Sequence, residues 1–269
     1  MFKKEYPFVF TLDYPKESYM LGGMQLNFYK MRIDNKWVLI GIYNKSESKK
    51  LQQEIILNLL DLNETWNQDE LKSIQRFRIK KQRSRLYEWI SSRVLIKYGL
   101  LFYFKDLLAD DELKPNDIII CLNSSNKPSI ELLPQDRDKK FKEIPYISIS
   151  HTNNTVFVVL SPVLIGIDIE VITKHSESWQ EKITGQKELN QVKRLMQKGD
   201  FNIKDISYTI IWALKESTLK VNGNNPLGIL PLIVIETNDD RVITEIPNRN
   251  KKYQNYISIL GDSVCVITF

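Results

Sequence analysis

The spacing of apolar and polar positions predicts a chain that alternates between strands and helices. From Met24 to Tyr43, Leu26, Phe28 and Met31 alternate with polar neighbours. Asp34-Asn35-Lys36 supplies a turn and Trp37–Tyr43 runs on, so a β-hairpin is expected there. Leu51 to Leu60 reads as a short apolar helix. From Asp69 to about Phe104, Leu86, Ile90, Val94 and the Leu100–Leu101 pair recur at helical spacing and predict one long helical region. Strand character returns over Lys114–Asn126, with a turn at Asn123-Ser-Ser-Asn126 before Lys127-Pro128, and a polar linker spans Pro134–Glu143. Tyr146–Ser150 and Val156–Leu160 form strands on either side of a turn, and Ser161-Pro162 breaks the pattern before a strand at Ile165–Glu170. Helical patterns then cover Ser178–Gln197 and Ile206–Val221, and two strand pairs close the chain around Asn238-Asp239-Asp240 and Gly261-Asp262. The order is roughly β–α–β twice over, with a seam near Pro162. The two parts share no sequence repeat, so any duplication would be structural only.

Composition narrows the class. With 269 residues, 42% of them hydrophobic, the chain can bury the core of one large domain or of two halves. Two cysteines, Cys121 and Cys265, form no spaced pairs, so neither a disulfide framework nor a cysteine zinc site is expected. Two histidines argue against a histidine metal site. No run approaches the length of a membrane span and the N-terminus has no leader-like apolar stretch, so a soluble cytoplasmic protein is expected. Net charge is +5, but the basic residues are uneven. Between Lys72 and Lys97 lie Arg76, Arg78, Lys80, Lys81, Arg83, Arg85 and Arg93 against one acid, Glu88, a cluster suited to an anionic partner.

The candidate chemistry sits in two segments. In Ile165-Gly166-Ile-Asp168-Ile-Glu170, strand alternation places Asp168 and Glu170 on one face, roughly 6–7 Å apart at the backbone and able to share a cation. In Trp212-Ala-Leu-Lys215-Glu216-Ser-Thr-Leu-Lys220, a helix places Trp212, Glu216 and Lys220 on one stripe. Three carboxylates beside lysines suit a hard metal next to a phosphate. Each piece alone has a plainer reading. The acids fit a solvated strand face, Glu216 fits an ordinary partner of Lys220 worth roughly 0.3–0.5 kcal/mol, Ser150-His151 fits a strand end, and the basic helix fits a solvated surface.

Taken in order, these segments resemble the two-domain, surfactin-synthetase-activating type of 4′-phosphopantetheinyl transferase. That family carries a Gly-Ile/Val-Asp-Ile/Val-Glu strand followed by a Trp-x-x-Lys-Glu-x-x-x-Lys helix. Upstream, Ser150-His151, Asn126-Lys127-Pro128 and Glu88-Trp89-Ile-Ser-Ser-Arg93-Val-Leu-Ile-Lys97 are similar to its other motifs, and Thr184-Gly-Gln-Lys-Glu188 is similar to its short stretch ending in Glu. The resemblance runs from about Lys72 to Gly228. Asn126 stands where the family has Gly, and Ser217 where it has another small residue.

The resemblance implies transfer of the phosphopantetheine arm of coenzyme A to a serine of an apo acyl- or peptidyl-carrier protein, releasing 3′,5′-ADP. It implies Mg²⁺ (Mn²⁺ suits the same oxygens) held by Asp168, Glu170 and Glu216. Lys220 and His151 would contact the pyrophosphate with help from Ser150, and Glu216 would take the serine proton. Lys215 and Lys127 would lie near the nucleotide phosphates, with Arg76, Arg93 or Lys72 at the 3′-phosphate. The basic cluster would also meet the acidic helix of the carrier. The fold expected is α+β: two similar halves, 1–162 and 163–269, related by a pseudo-twofold axis, each a small, mostly antiparallel sheet with packed helices. Coenzyme A would bind in the cleft at the seam of a monomer.

Two other readings compete. One is a nucleic-acid-binding protein using the 72–97 helix with Phe77, Tyr87 and Trp89. Against it stand an isoelectric point near 8.9, the lack of any recognition motif and three unexplained acids. The other is a catalytically silent relative that binds carrier proteins.

Overall fold

The computed structural model describes residues 10, 12, 15–33, 35–45, 49–62, 64–79, 83–105, 113–124, 127–133, 141, 143–152, 155–196, 203–223, 233–237, 241–246 and 250–269. The chain is α+β and divides into two compact units. One comprises residues 13–124 and 128–163; the other comprises 164–269, together with Phe10, Leu12 and Lys127. Lys80, Lys81, Asn126, most of the 134–143 linker and the Asn238–Asp240 turn lie outside the described residues.

In the first unit, β1 (Glu17–Leu21), β2 (Met24–Ile33) and β3 (Lys36–Asn44) form an antiparallel meander. Gly22 and Gly23 both have positive φ, a conformation that L side chains resist, and this closes the turn between β1 and β2. Next come α1 (Lys49–Leu60), α2 (Gln68–Ile79) and α3 (Arg83–Tyr103). The long helical region expected over 69–104 holds α2 and α3, with residues 80–82 between them outside the described ones. A short 3₁₀ turn, Pro115–Asp117, leads into a separate ribbon of β4 (Ile118–Leu122) and β5 (Pro128–Leu132). Finally β6 (Tyr146–His151) and β7 (Thr155–Ser161) complete a sheet of order β1-β2-β3-β7-β6. Helix α3 packs on β3 and β7 and is covered by α1 and α2. It is thus buried on nearly every side, which is why Val94, Leu95 and Ile96 are all inaccessible.

The second unit begins with β8 (Gly166–Val171), followed by α4 (Glu177–Ile183), α5 (Gln186–Met196) and α6 (Ile203–Asn222). The single helical stretch expected over 178–197 is broken at Thr184-Gly185. Strands β9 (Val234–Thr237), β10 (Val242–Ile246), β11 (Lys251–Leu260) and β12 (Ser263–Thr268) complete an antiparallel sheet of order β8-β12-β11-β10-β9. Helix α6 packs on β8 and β12.

The two units use one connection scheme. A strand precedes the helices (β3 or β8), pairs antiparallel with the last strand of its unit (β7 or β12), and that strand pairs with the one before it. A long helix, α3 or α6, packs on the first two. Each long helix also carries a fully buried lysine. Lys97 donates to the Thr65 carbonyl at 2.7 Å and to Glu70 at 2.6 Å; Lys215 donates to the Ile183 carbonyl at 2.6 Å and to Glu188 at 3.0 Å. In both units the lysine follows the carbonyl residue by 32 positions and the glutamate by 27. The two parts share no sequence repeat, yet their two buried ion pairs share one spacing.

Both glutamates also cap a helix. Asn67 and Glu70 exchange side-chain and backbone hydrogen bonds at the start of α2, and Glu188 accepts from Thr184 Oγ1 and the Gly185 amide at the start of α5. The other Glu188 oxygen accepts from the Ile235 amide at 3.0 Å, tying in β9. Removing either lysine strands a buried carboxylate and a carbonyl. Lys97→Met and Lys215→Met are each expected to lower unfolding free energy by about 3 kcal/mol. Urea denaturation followed by tryptophan fluorescence measures this, and an unchanged midpoint would refute the account.

Candidate functional site

The second unit gathers the acids. Gly166 opens β8 directly beneath α6: a Cβ there would fall inside the Ser217 carbonyl and 2.9 Å from Val221 Cγ2. Its missing side chain lets the helix lie against the strand, and this brings the stripe of α6 over the alternate residues of β8. Trp212 Nε1 donates to Glu170 Oε1 at 3.0 Å, and Lys220 Nζ donates to Asp168 Oδ1 at 2.7 Å. Trp212 is in turn backed by Trp179, on which His175 stacks with ring centroids 3.8 Å apart.

Asp168 is only 3% exposed, so its charge acts through little water. Burial, then the Asp168 charge, pushes the Glu170 carboxyl up to about 7, with Trp212 and Lys220 opposing. Burial and then Asp168 raise Glu216 as well. The three acids therefore repel one another in a weakly solvated place, and Lys220 offsets only part of that charge. A hard divalent cation relieves such crowding.

Among the described residues, no three His, Cys, Asp or Glu side chains form a ready cage for a metal. Mg²⁺ commonly binds through carboxylates, with water and substrate phosphate completing its shell. The oxygen donor set fits such an ion.

The remaining candidates are dispersed. Lys215, expected near the nucleotide phosphates, has no exposed side chain and is held by Glu188 and the Ile183 carbonyl. It sits behind Glu216 as an internal cation. Lys127 donates to the Val221 carbonyl near the end of α6, so it is grouped with the second unit. Burial, then Lys251, lowers its pKa.

In the first unit, Ser150 is buried and His151 half exposed at the end of β6. Arg76 and Lys72 are exposed on α2, with Lys72 paired to Asp69. Arg93 lies over the Trp89 ring at 3.6 Å, and burial lowers its pKa to about 10 despite Glu70. With Lys97 buried, Arg93 stacked, and Trp89 packed against Trp66 and Phe77, the 72–97 segment offers fewer free cations and rings than its sequence suggested. This weakens the nucleic-acid reading.

Sequence reasoning assigned no role to Lys45 or Glu70 and used Glu88 and Glu188 only as motif letters. Asn67-x-x-Glu70 is a capping signal that would have exposed Glu70. Nothing local marks Lys45, whose partners are far along the chain.

Carboxylates and a lysine thus meet between one strand and one helix of an α+β frame. The family model of the 4′-phosphopantetheinyl transferase superfamily matches residues 164–265, nearly the whole of the second unit's continuous stretch. No curated protein matched the chain. No helix among the described residues is long and apolar enough to cross a membrane.

Proposed function

We propose that this protein transfers the phosphopantetheine arm of coenzyme A to a serine hydroxyl of an apo carrier protein. The observation that carries the reading is the meeting of Asp168, Glu170, Trp212 and Lys220 across β8 and α6, inside the segment that matches the superfamily. Asp168, Glu170 and Glu216 would hold Mg²⁺, which when bound offsets the negative charge of the pyrophosphate.

Glu216, whose carboxyl is raised by burial, takes the serine proton as the oxygen bonds to phosphorus. The phosphorus–oxygen bond to 3′,5′-ADP breaks, and the electron pair leaves with the nucleotide phosphate. Lys220 stands on Asp168 and can shift its ammonium toward a phosphate oxygen when the coenzyme arrives. Lys127 would contact the nucleotide; for Ser150 and His151 contact with the pyrophosphate, and for Arg76 contact with the 3′-phosphate, are what the family resemblance implies. Lys215 acts from behind by fixing α6, which carries Glu216.

The test is intact mass spectrometry of apo acyl- and peptidyl-carrier proteins incubated with this protein, coenzyme A and Mg²⁺. A gain of one phosphopantetheine arm, abolished by EDTA, is the expected result. No gain on carriers from fatty acid, polyketide and peptide synthesis would reject the transferase reading.

A further inference from the structure

We propose that Glu88 and Lys45 form a positioning pair that presents His151 to the pyrophosphate of coenzyme A, an inference that rests on the role given to His151 above. Lys45 follows the end of β3, Glu88 lies on α3 and His151 ends β6, so three separate elements meet here. The Lys45 ammonium, 4% exposed, donates to the Thr152 carbonyl at 2.7 Å and to Glu88 Oε1 at 3.3 Å. The other carboxylate oxygen, Oε2, stands 3.8 Å from His151 Nε2. One carboxylate thus faces a buried ammonium on one side and the imidazole on the other.

The geometry is more specific than an ion pair needs to be. A buried ammonium must find acceptors, and burial lowers the Lys45 pKa against the opposing pull of Glu88. Any carbonyl would serve as one acceptor. The one used is that of Thr152, the residue directly after His151, so the lysine also fixes the backbone from which the imidazole projects. The ring itself is half exposed, and a free side chain there would lose rotamer entropy on binding a ligand. Glu88 restrains it beforehand. Because Nε2 faces Glu88, Nδ1 is the nitrogen left to meet an incoming phosphate oxygen.

The test compares wild type, Glu88→Gln, His151→Ala and the double variant, varying coenzyme A at saturating carrier protein. Glu88→Gln keeps the shape of the side chain and removes its charge. It is expected to raise KM for coenzyme A about tenfold while kcat changes little. Added to His151→Ala it should have no further effect, because it acts only through the imidazole. Lys45→Met should move KM in the same direction.

Independently, the chain has two histidines, so imidazole ¹H–¹⁵N spectra distinguish His151 from His175 once His151→Ala assigns them. Glu88→Gln should displace the His151 signals and leave those of His175 in place. Unmoved His151 signals, or additive effects in the double variant, would overturn the pairing. A wild-type protein that modifies no carrier while its His151 signals respond to Glu88→Gln would overturn the function and leave the pairing standing.

Discussion

Asp168→Ala is expected to lower arm transfer by on the order of a thousandfold or more, with no loss of thermal stability. The activity loss follows from what Asp168 touches. It is the buried acid on which Lys220 rests, and it is one of the acids proposed above to hold a divalent ion. The stability result follows from electrostatics. The Asp168 charge raises the pKa of both Glu170 and Glu216, so each of them ionises against it. Removing Asp168 relieves both carboxylates, and Lys220, 26% exposed at its side chain, can turn to water. Initial transfer rates and a melting curve on the same sample check both halves. Retained transfer would remove Asp168 from the machinery, and a large drop in melting temperature would make it a structural acid instead.

Gly166→Ala is expected to damage stability and activity together. The added methyl meets the Ser217 carbonyl, a backbone atom of a helix that cannot yield alone, and also Val221. Overpacking of this kind costs about 3 kcal/mol, near the upper end of what one added methyl does in a core. The relief available is for α6 to lift away from β8, carrying Glu216 and Lys220 with it. A displacement of about 1 Å costs on the order of a hundredfold in rate.

Gly185→Ala is the matched control, since a Cβ there has no neighbour within 4 Å. It should stay within about 0.5 kcal/mol of wild type. Equal behaviour of the two variants would show that contact between α6 and β8 does not set the site.

The motif glycine explains why part of the site was legible beforehand. Alternation put Asp168 and Glu170 on one face of a strand, and helical spacing put Trp212, Glu216 and Lys220 on one stripe. The close approach of α6 to β8 then joins face to stripe. Local chemistry also marked most element positions. Two errors came from overlooked punctuation: Gly22-Gly23 announces the turn that adds β1, and Thr184-Gly185 before Glu188 announces the break between α4 and α5. The division of the 69–104 region into α2 and α3 had no such signal, because the apolar stripe of α3 gives no clue to where the helix begins. Lys215 misled for a different reason. A lysine in the Trp-x-x-Lys-Glu-x-x-x-Lys motif reads as a phosphate contact, whereas here it is buried against a glutamate 27 residues earlier. Lys45 was beyond reach, since its partners lie 43 and 107 positions away.

The paired locks of Lys97 with Glu70 and Lys215 with Glu188 also act as a proofreading device for assembly. A purely apolar helix face tolerates slippage, because one leucine substitutes for another with modest loss. A buried ammonium does not. Were α6 to settle one residue out of step, Leu214 or Glu216 would face the Glu188 carboxylate. The first leaves a charge stranded in the core, and the second sets like against like. Only one alignment of α6 survives that discrimination, and it is the alignment that turns Trp212 and Lys220 toward β8. In α3 the same check operates with Tyr98 where α6 has Glu216, so the first unit keeps the alignment mechanism without the acid. The charge that fixes the helix and the charges proposed for the chemistry are thus separate, and the second set can change without loosening the first.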